Sequence, residues 1–138
     1  MINSFSIVKA LLDKAQQVAD DNSYLLIPHG KSYKPDVNTA YIEEFTLFNE
    51  SISIGMADNS SDIQMPIYQL NINTPRSNVG ARFMGLIITG VYQEAFKKGT
   101  QLTFNGQMIR AKDAKVTQAA VHDTHLTHIL SIEFSVIN

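Results

Sequence analysis

The sequence predicts an α+β domain, in which two main helices pack on one face of a mostly antiparallel mixed sheet of four to six strands. Three observations favour this class: two segments carry apolar residues at helical spacing, several others alternate apolar and polar residues, and an Asn-Gly pair joins two short apolar runs. The order is helix, strands, helix, strands, without an internal repeat. A doubly wound α/β fold would need more helices alternating with its strands.

Two segments are predicted to be amphipathic helices. The first covers residues 5–19 and can be capped by Ser4 or Ser6. The second runs from a cap at Ser77 or Asn78 to about Lys98, followed by Gly99. Its apolar side is predicted to comprise Phe83, Met84, Ile87, Ile88, Val91, Ala95 and Phe96. Three glycines interrupt it, at positions 80, 85 and 90; we interpret them as tolerated, with close backbone approach at a neighbouring element or subunit as the alternative.

Strands are predicted before, between and after these helices. Residues 24–27 and 40–48 look extended and flank a loop over residues 28–38 that is punctuated by proline and glycine. Residues 67–74, bounded by Pro66 and Pro75, and residues 126–136 alternate as half-buried strands. Asn105-Gly106 predicts a hairpin. A short strand over residues 51–56, a polar loop over 57–62 and a strand over 114–121 complete the set.

The composition is typical of one globular domain spanning residues 1–138. The chain is 44% hydrophobic and 17% charged, and its length is sufficient to bury a core without disulfides. The absence of cysteine excludes a thiolate metal site and a cysteine nucleophile. No run of about 18 apolar residues is present, and the amino terminus lacks a signal-peptide pattern, so we expect a soluble protein of a reducing compartment.

Charge is distributed unevenly along the chain. Residues 1–69 hold four Lys and nine Asp or Glu, a balance of −5, whereas residues 70–138 hold seven Lys or Arg and four Asp or Glu, a balance of +3. No dense basic stripe is present, which argues against dedicated duplex binding. If the two halves present opposite faces, the asymmetry suits head-to-tail self-association; otherwise it is a property of solvated loops.

One cluster of metal-ligand residue types is present, formed by His122, Asp123, His125 and His128. Zinc needs three or four such groups converging at about 2.0–2.2 Å, but His125 and His128 have opposite parity on the predicted strand and lie on opposite faces. We therefore expect no metal there. His128 is predicted to be a partly buried strand residue, and the others solvated turn residues.

No motif of nucleophilic or phosphate-binding catalysis is present either. The chain contains neither Gly-x-Ser-x-Gly nor Gly-x-Gly-x-x-Gly, and residues 30–34 (GKSYK) lack the setting of a phosphate loop. Glu43 and Glu44 are neighbours on a predicted strand and diverge, so they cannot act as a glycosidase pair. The sequence predicts neither catalytic residues nor a cofactor, and thus a protein that is not an enzyme.

Several segments together resemble the tail-terminator and tail-completion proteins of long-tailed bacteriophages and prophages. They are the first helix, PHGKSYKP (28–35), YIEEFTLFNE (41–50), PIYQLNINTP (66–75), EAFKKGTQL (94–102), FNGQMIRA (104–111) and the final alternating strand. The run IYQLNI, followed by Asn73 and Pro75, carries most of the resemblance. Two features depart from the family pattern: Pro66 stands where a glycine is expected, and only one glycine, Gly80, lies between Pro75 and the helix. These departures affect the expected geometry of the local loops more than the fold.

The resemblance implies a structural protein that forms a ring, expected to be hexameric, on the head-proximal end of the tail tube, ends tail polymerisation and prepares head–tail joining. Its partners would be other copies of itself, the tail tube protein and the head–tail connector protein, with DNA only as cargo through the lumen and no membrane contact. The location implied is the virion tail, assembled in the cytoplasm of the bacterial host.

The contact residues expected in such a ring belong to the loop at 28–38, the first long strand and the polar loop after it: Lys31, Lys34, Glu43, Glu44, Asp58, Asn59 and Asp62. Ordinary solvated surface is the competing interpretation for each. Two other functions stay open: a nucleic-acid-binding α+β module using strand aromatics such as Tyr68 and Phe104, and a metal-dependent enzyme using the histidines.

Overall fold

The structure, a computed structural model, describes residues 4–48, 52–53, 62–63, 66–77 and 79–137. Its elements in chain order are α1 (Ser4–Asn22), β1 (Leu26–Ile27), β2 (Tyr41–Phe48), β3 (Ile52–Ser53), β4 (Asp62–Ile63), β5 (Pro66–Pro75), α2 (Ala81–Ala95), β6 (Gln101–Phe104), β7 (Gln107–Val121) and β8 (His125–Ile137).

Six strands form one mixed sheet in the order β1-β2-β5-β8-β7-β6, and β3 and β4 form a separate two-stranded pair. Only β1 and β2 run parallel; the other pairs of the main sheet are antiparallel. Both helices pack on the same face of this sheet, α1 over β6 and β7 and α2 over β5 and β8. The predicted α+β class, with two helices on one face, is confirmed.

The alternation of β5 and β8 determines which side chains face the helices. Tyr68 lies opposite Ile132 and Leu70 opposite Leu130, and all four are buried beneath the helices. Asn71 lies opposite Ile129 on the other face, which we call the open face. Both strands were predicted from their period of two, and Pro66 and Pro75 bound β5 as expected, because proline cannot donate to a ladder.

The second helix begins later and ends earlier than its sequence pattern predicts. Its N-cap is Gly80, so no side chain caps the helix. The hydroxyl of Ser77, one of the two predicted caps, donates to Asn38 Oδ1 at 3.3 Å. Asn78, the other predicted cap, lies outside the described residues. In α1, which begins at Ser4, Ser6 is the third helical residue and does not occupy the N-cap position.

The inward face of α2 also differs from the predicted one. Its buried residues recur at three- and four-residue steps: Ala81, Gly85, Ile88, Thr89 and Tyr92. Phe83 and Ile87, predicted to face the core, are exposed to solvent. The helix carries apolar residues around more than half of its circumference, so hydrophobicity alone did not select the packed face.

The glycines of α2 have different surroundings. A Cβ at Gly85 would lie 2.4 Å from His128 Nδ1, so helix and sheet approach closely there, whereas a Cβ at Gly90 would meet nothing within 4 Å. The interpretation of mere tolerance is therefore wrong for Gly85.

The predicted hairpin between β6 and β7 is confirmed. Asn105 and Gly106 have φ values of 50° and 78°, as a two-residue type I′ turn requires. β7 is longer than predicted, because it continues from the hairpin through residues 114–121. It tolerates this length through register shifts, one of which leaves Lys112 without a partner in β8.

Candidate functional site

The histidine cluster does not converge in the folded chain. His125 lies opposite Pro75 and His128 opposite Ile72, which places the two rings on opposite faces of the sheet, as predicted. His125 is buried, however, and its Nε2 lies 2.9 Å from the Thr39 carbonyl oxygen, so the prediction of a solvated turn residue is wrong for it. Within the described ranges, no three His, Cys, Asp or Glu side chains are grouped to hold a metal ion.

His128 has an environment that disfavours the protonated form of its ring. It is 3% exposed, and its Nδ1 makes no hydrogen bond within the described structure. Desolvation lowers its pKa from the usual 6.5. The His128 ring therefore binds a proton more tightly in the unfolded chain than in the folded one. Its contribution to stability is present above about pH 6.5, the usual pKa, and is lost as the pH falls toward the lowered pKa of the folded state.

We expect the free energy of unfolding to fall as the pH drops below about 6.5, and the variant His128→Gln to flatten this dependence. The change in slope is bounded by about 1.4 kcal/mol per pH unit for one proton. Urea denaturation at several pH values measures it. His122→Gln, at an exposed position, is the control and should retain the wild-type slope; equal slopes for wild type and His128→Gln would contradict the assignment.

Glu43 and Glu44 lie on opposite faces of β2, as their adjacency predicts, but only one is available to a partner. Glu44 is 2% exposed, and its carboxylate accepts hydrogen bonds from the Tyr68 hydroxyl and from the His29 backbone N–H, the latter at 3.2 Å. Burial, followed by the Glu44 charge, raises the pKa of Tyr68 well above its usual value, which keeps the phenol protonated as donor. The prediction of Glu44 as a contact residue is wrong.

The open face carries a polar network instead of a second core. Glu43 is half-buried and accepts a hydrogen bond from Asn73 Nδ2 at 3.2 Å, while Asn73 Oδ1 accepts from the Thr127 hydroxyl at 2.5 Å. Residues 28–40 reach this face, where the Tyr33 ring lies 5.1 Å from the Tyr41 ring. Residues 28–40 thus lie against a face whose polar side chains already form hydrogen bonds with one another.

The other predicted contact residues lie in different places. Lys31 and Lys34 are exposed in the loop that follows β1, which is compatible with the prediction and does not test it. Asp62 begins the short strand β4, where its backbone pairs with Ser53. Asp58 and Asn59 lie outside the described residues.

Within the described residues, one apolar surface exposed to solvent is the outward face of α2, which we call the α2 stripe: Phe83, Leu86, Ile87 and Gly90. Phe83 is 61% exposed, Leu86 47% and Ile87 65%. Their three- and four-residue spacing places them on one side of the helix, and Gly90 leaves that side flat. The Arg82 guanidinium lies 5.3 Å from the Phe83 ring centroid at one end. Contiguous apolar groups in water are typical of a protein-interaction surface.

A second feature is a cleft of about 640 Å³ at the β6 edge of the sheet, which we call the basic cleft. Its charged lining residues are Lys98, Arg110 and Lys112, and Gln101 and Ser135 add polar groups. Across the described part of the chain the ion pairs are Lys9–Asp13 and Lys97–Glu94, so none neutralises this cleft. Three cations held together without a carboxylate favour an anionic partner.

Comparison with solved structures finds a protein of the same fold, whose name states no function. Its superposition on this chain has a TM-score of 0.73 at 13% sequence identity, over 100% of this chain and 98% of that chain. No protein-family model matches the sequence, and no curated protein matches it. At this identity the similarity supports the fold alone. Among the described residues, no helix is both long and apolar enough to cross a membrane.

Sequence reasoning missed both the α2 stripe and the basic cleft. A signal for the stripe was present: the apolar positions assigned to one side of α2 span more than one face, which implies a second surface needing cover. The cleft had no comparable signal, because Lys98, Arg110 and Lys112 are brought together by a turn and a bulge.

Proposed function

We propose that this chain is a tail terminator of a long-tailed bacteriophage or prophage: a structural protein that forms a hexameric ring, caps the head-proximal end of the tail tube and prepares head–tail joining. The proposal combines the sequence resemblance with one structural observation, the α2 stripe. A terminator acts by presenting a matching surface to the last ring of the tube and needs no reactive group.

The position of α2 supports docking to the tube rather than to a neighbouring subunit. The helix packs over β5 and β8, in the middle of the six-stranded sheet. Subunits that join through the two edges of the sheet, β1 and β6, leave the outward face of α2 uncovered. We therefore assign the α2 stripe to the tail tube protein, whose exposed end would offer apolar groups in return.

The test is capping of purified tail tubes by the variant Ile87→Glu. A charge in the stripe should leave the melting temperature near that of wild type, because the side chain is already exposed, but should weaken binding to tubes. Burying one such side chain contributes about 1.5–3 kcal/mol, so its loss predicts at least about a tenfold weaker affinity. Co-sedimentation and electron microscopy of tube ends measure binding and tube length.

Gln17→Glu is the matched control, since it adds the same charge at an exposed position of α1. It should cap tubes as wild type does. A wild-type protein that stays monomeric in the presence of purified tubes and leaves their length unlimited would overturn the proposed function. Capping by Ile87→Glu at wild-type affinity would remove the α2 stripe as the tube-facing surface.

A further inference from the structure

We propose that the subunits of this ring join head to tail, the basic cleft of one copy receiving the acidic carboxyl-terminal end of α1 from the next. The inference rests on the proposed function and identifies the two surfaces that make its ring. The occupant of the cleft is thus a second copy of this chain, held by opposite charges at opposite edges of the sheet.

Two backbone features build the basic cleft. Lys112 is the extra residue of a β-bulge in β7, between Ala111 and Asp113, so it is released from the ladder that holds its neighbours. Gly99, with φ of 92°, turns the chain after α2, and its N–H donates to the Ala111 carbonyl at 2.9 Å. This bond fixes the turn that carries Lys98 against the bulge.

No carboxylate is among the described residues that line the cleft. Arg110 lies opposite Ser135 on the open face and completes the cationic group with Lys98 and Lys112. Two acidic residues, Asp113 and Glu133, lie opposite each other one step farther along β7 and β8, and neither forms a described ion pair with the cleft. Mutual repulsion of three cations is relieved when carboxylates from another molecule enter.

The last turn of α1 has the complementary charge. Asp20 and Asp21 are both exposed there, and no basic residue lies in that turn. Gln16 Nε2 donates to Asp20 at 2.9 Å, which orients the carboxylate without neutralising it. The carbonyl end of the helix dipole adds partial negative charge at the same place.

The two surfaces lie at opposite sides of the molecule. At its start α1 lies at the β6 edge, where the Phe5 ring packs 6.0 Å from the Phe104 ring. Its end leads through Tyr24 into β1, which forms the other edge of the sheet. A two-fold contact through either edge would bring like charges together, whereas head-to-tail contact pairs opposite charges and closes a ring when the rotation allows.

Charge reversal tests this contact in the full-length chain. The variant Arg110→Glu/Lys112→Glu and the variant Asp20→Lys/Asp21→Lys should each assemble at least about tenfold more weakly than wild type in low salt. An equimolar mixture should assemble again, as alternating rings in which every contact pairs opposite charges. Analytical ultracentrifugation measures assembly, alone and on purified tail tubes, and the loss should shrink in high salt. Melting temperatures of the reversed variants equal to that of wild type exclude misfolding. The neutral variant Arg110→Gln/Lys112→Gln distinguishes loss of attraction from the added repulsion of the reversed charges.

Rescue in the mixture supports the contact. Wild-type assembly by either reversed variant, or loss without rescue by the mixture, would overturn it while the ring itself stands. Normal assembly with lost binding of a DNA oligonucleotide by Arg110→Glu/Lys112→Glu would also overturn it, assigning the cleft to nucleic acid. Failure of the wild type to assemble even on tubes would instead contradict the proposed function.

Discussion

Replacing Phe96 with alanine should lower the free energy of unfolding by about 3–5 kcal/mol, the largest single effect we expect in this chain. Phe96 follows the last residue of α2 and is fully buried. Its ring lies 5.9 Å from both Tyr68 and Phe134 and 6.4 Å from Tyr92, measured between centroids. The residue therefore joins the helix to both central strands.

The expected cost has two sources. Removal of the ring loses the free energy gained when this apolar side chain is buried away from water. It also leaves a cavity, because the surrounding aromatic rings are held by two strands and a helix and cannot move in to fill it. Tyr92 is constrained further, because its hydroxyl donates to the Ala15 carbonyl of α1 at 3.1 Å. Equilibrium urea denaturation measures the loss, which should lower the midpoint without changing the two-state character.

Phe83→Ala on the same helix is the control, because it removes the same ring from an exposed position. Its free energy of unfolding should lie within about 0.5 kcal/mol of wild type. Comparable destabilisation by both substitutions would mean that α2 packs with its other face inward. The pair therefore also tests whether the α2 stripe is free for a partner.

Local patterns predicted most of the fold. The alternation of β5 and β8 and the Asn105-Gly106 turn are encoded within short segments, because side-chain parity and positive φ are local properties. The bounds of α2 depend on longer contacts: Ser77, a good cap by type, is hydrogen-bonded to Asn38 in another loop. Whether a serine caps a helix depends on which hydrogen-bond partners compete for its hydroxyl, and the sequence of the segment alone does not show those partners.

The candidate contact residues were harder to predict than the fold. Charge suggested that Glu44 is exposed, but the hydroxyl of the buried Tyr68 on the neighbouring strand β5 donates to its carboxylate inside the core. Lys98 and Lys112 are far apart in sequence and meet only through a turn and a bulge. A surface made by segments far apart in sequence produces no periodic pattern in the sequence. The α2 stripe lies within one helix, and its sequence shows more apolar residues than one packed face requires.

The second large effect concerns Gly85, where a single methyl group should destabilise the protein. Gly85→Ala places a Cβ 2.4 Å from Nδ1 and 2.6 Å from Cε1 of the buried His128 ring. Either the ring leaves its place or α2 lifts from the sheet, and overpacking of this kind costs about 1–3 kcal/mol. This exceeds the gain of up to about 1 kcal/mol that alanine gives over glycine inside a helix.

Gly90→Ala separates these two effects, because its Cβ would meet nothing within 4 Å. This variant should be more stable than wild type by about 0.5–1 kcal/mol, so the same substitution should have opposite signs five residues apart. Thermal and urea unfolding of both variants measure the difference. If Gly85→Ala were stabilising as well, the close approach of α2 to β8 would be wrong.

A double-mutant cycle identifies His128 as the origin of the cost. His128→Ala removes the ring that the new Cβ meets, so Gly85→Ala should be tolerated far better in that background than in wild type. A coupling of about 1 kcal/mol or more is expected for residues in direct contact. Independent, additive effects would place the destabilisation elsewhere in α2, whereas coupling shows that glycine is required here because the imidazole occupies the space of its missing side chain.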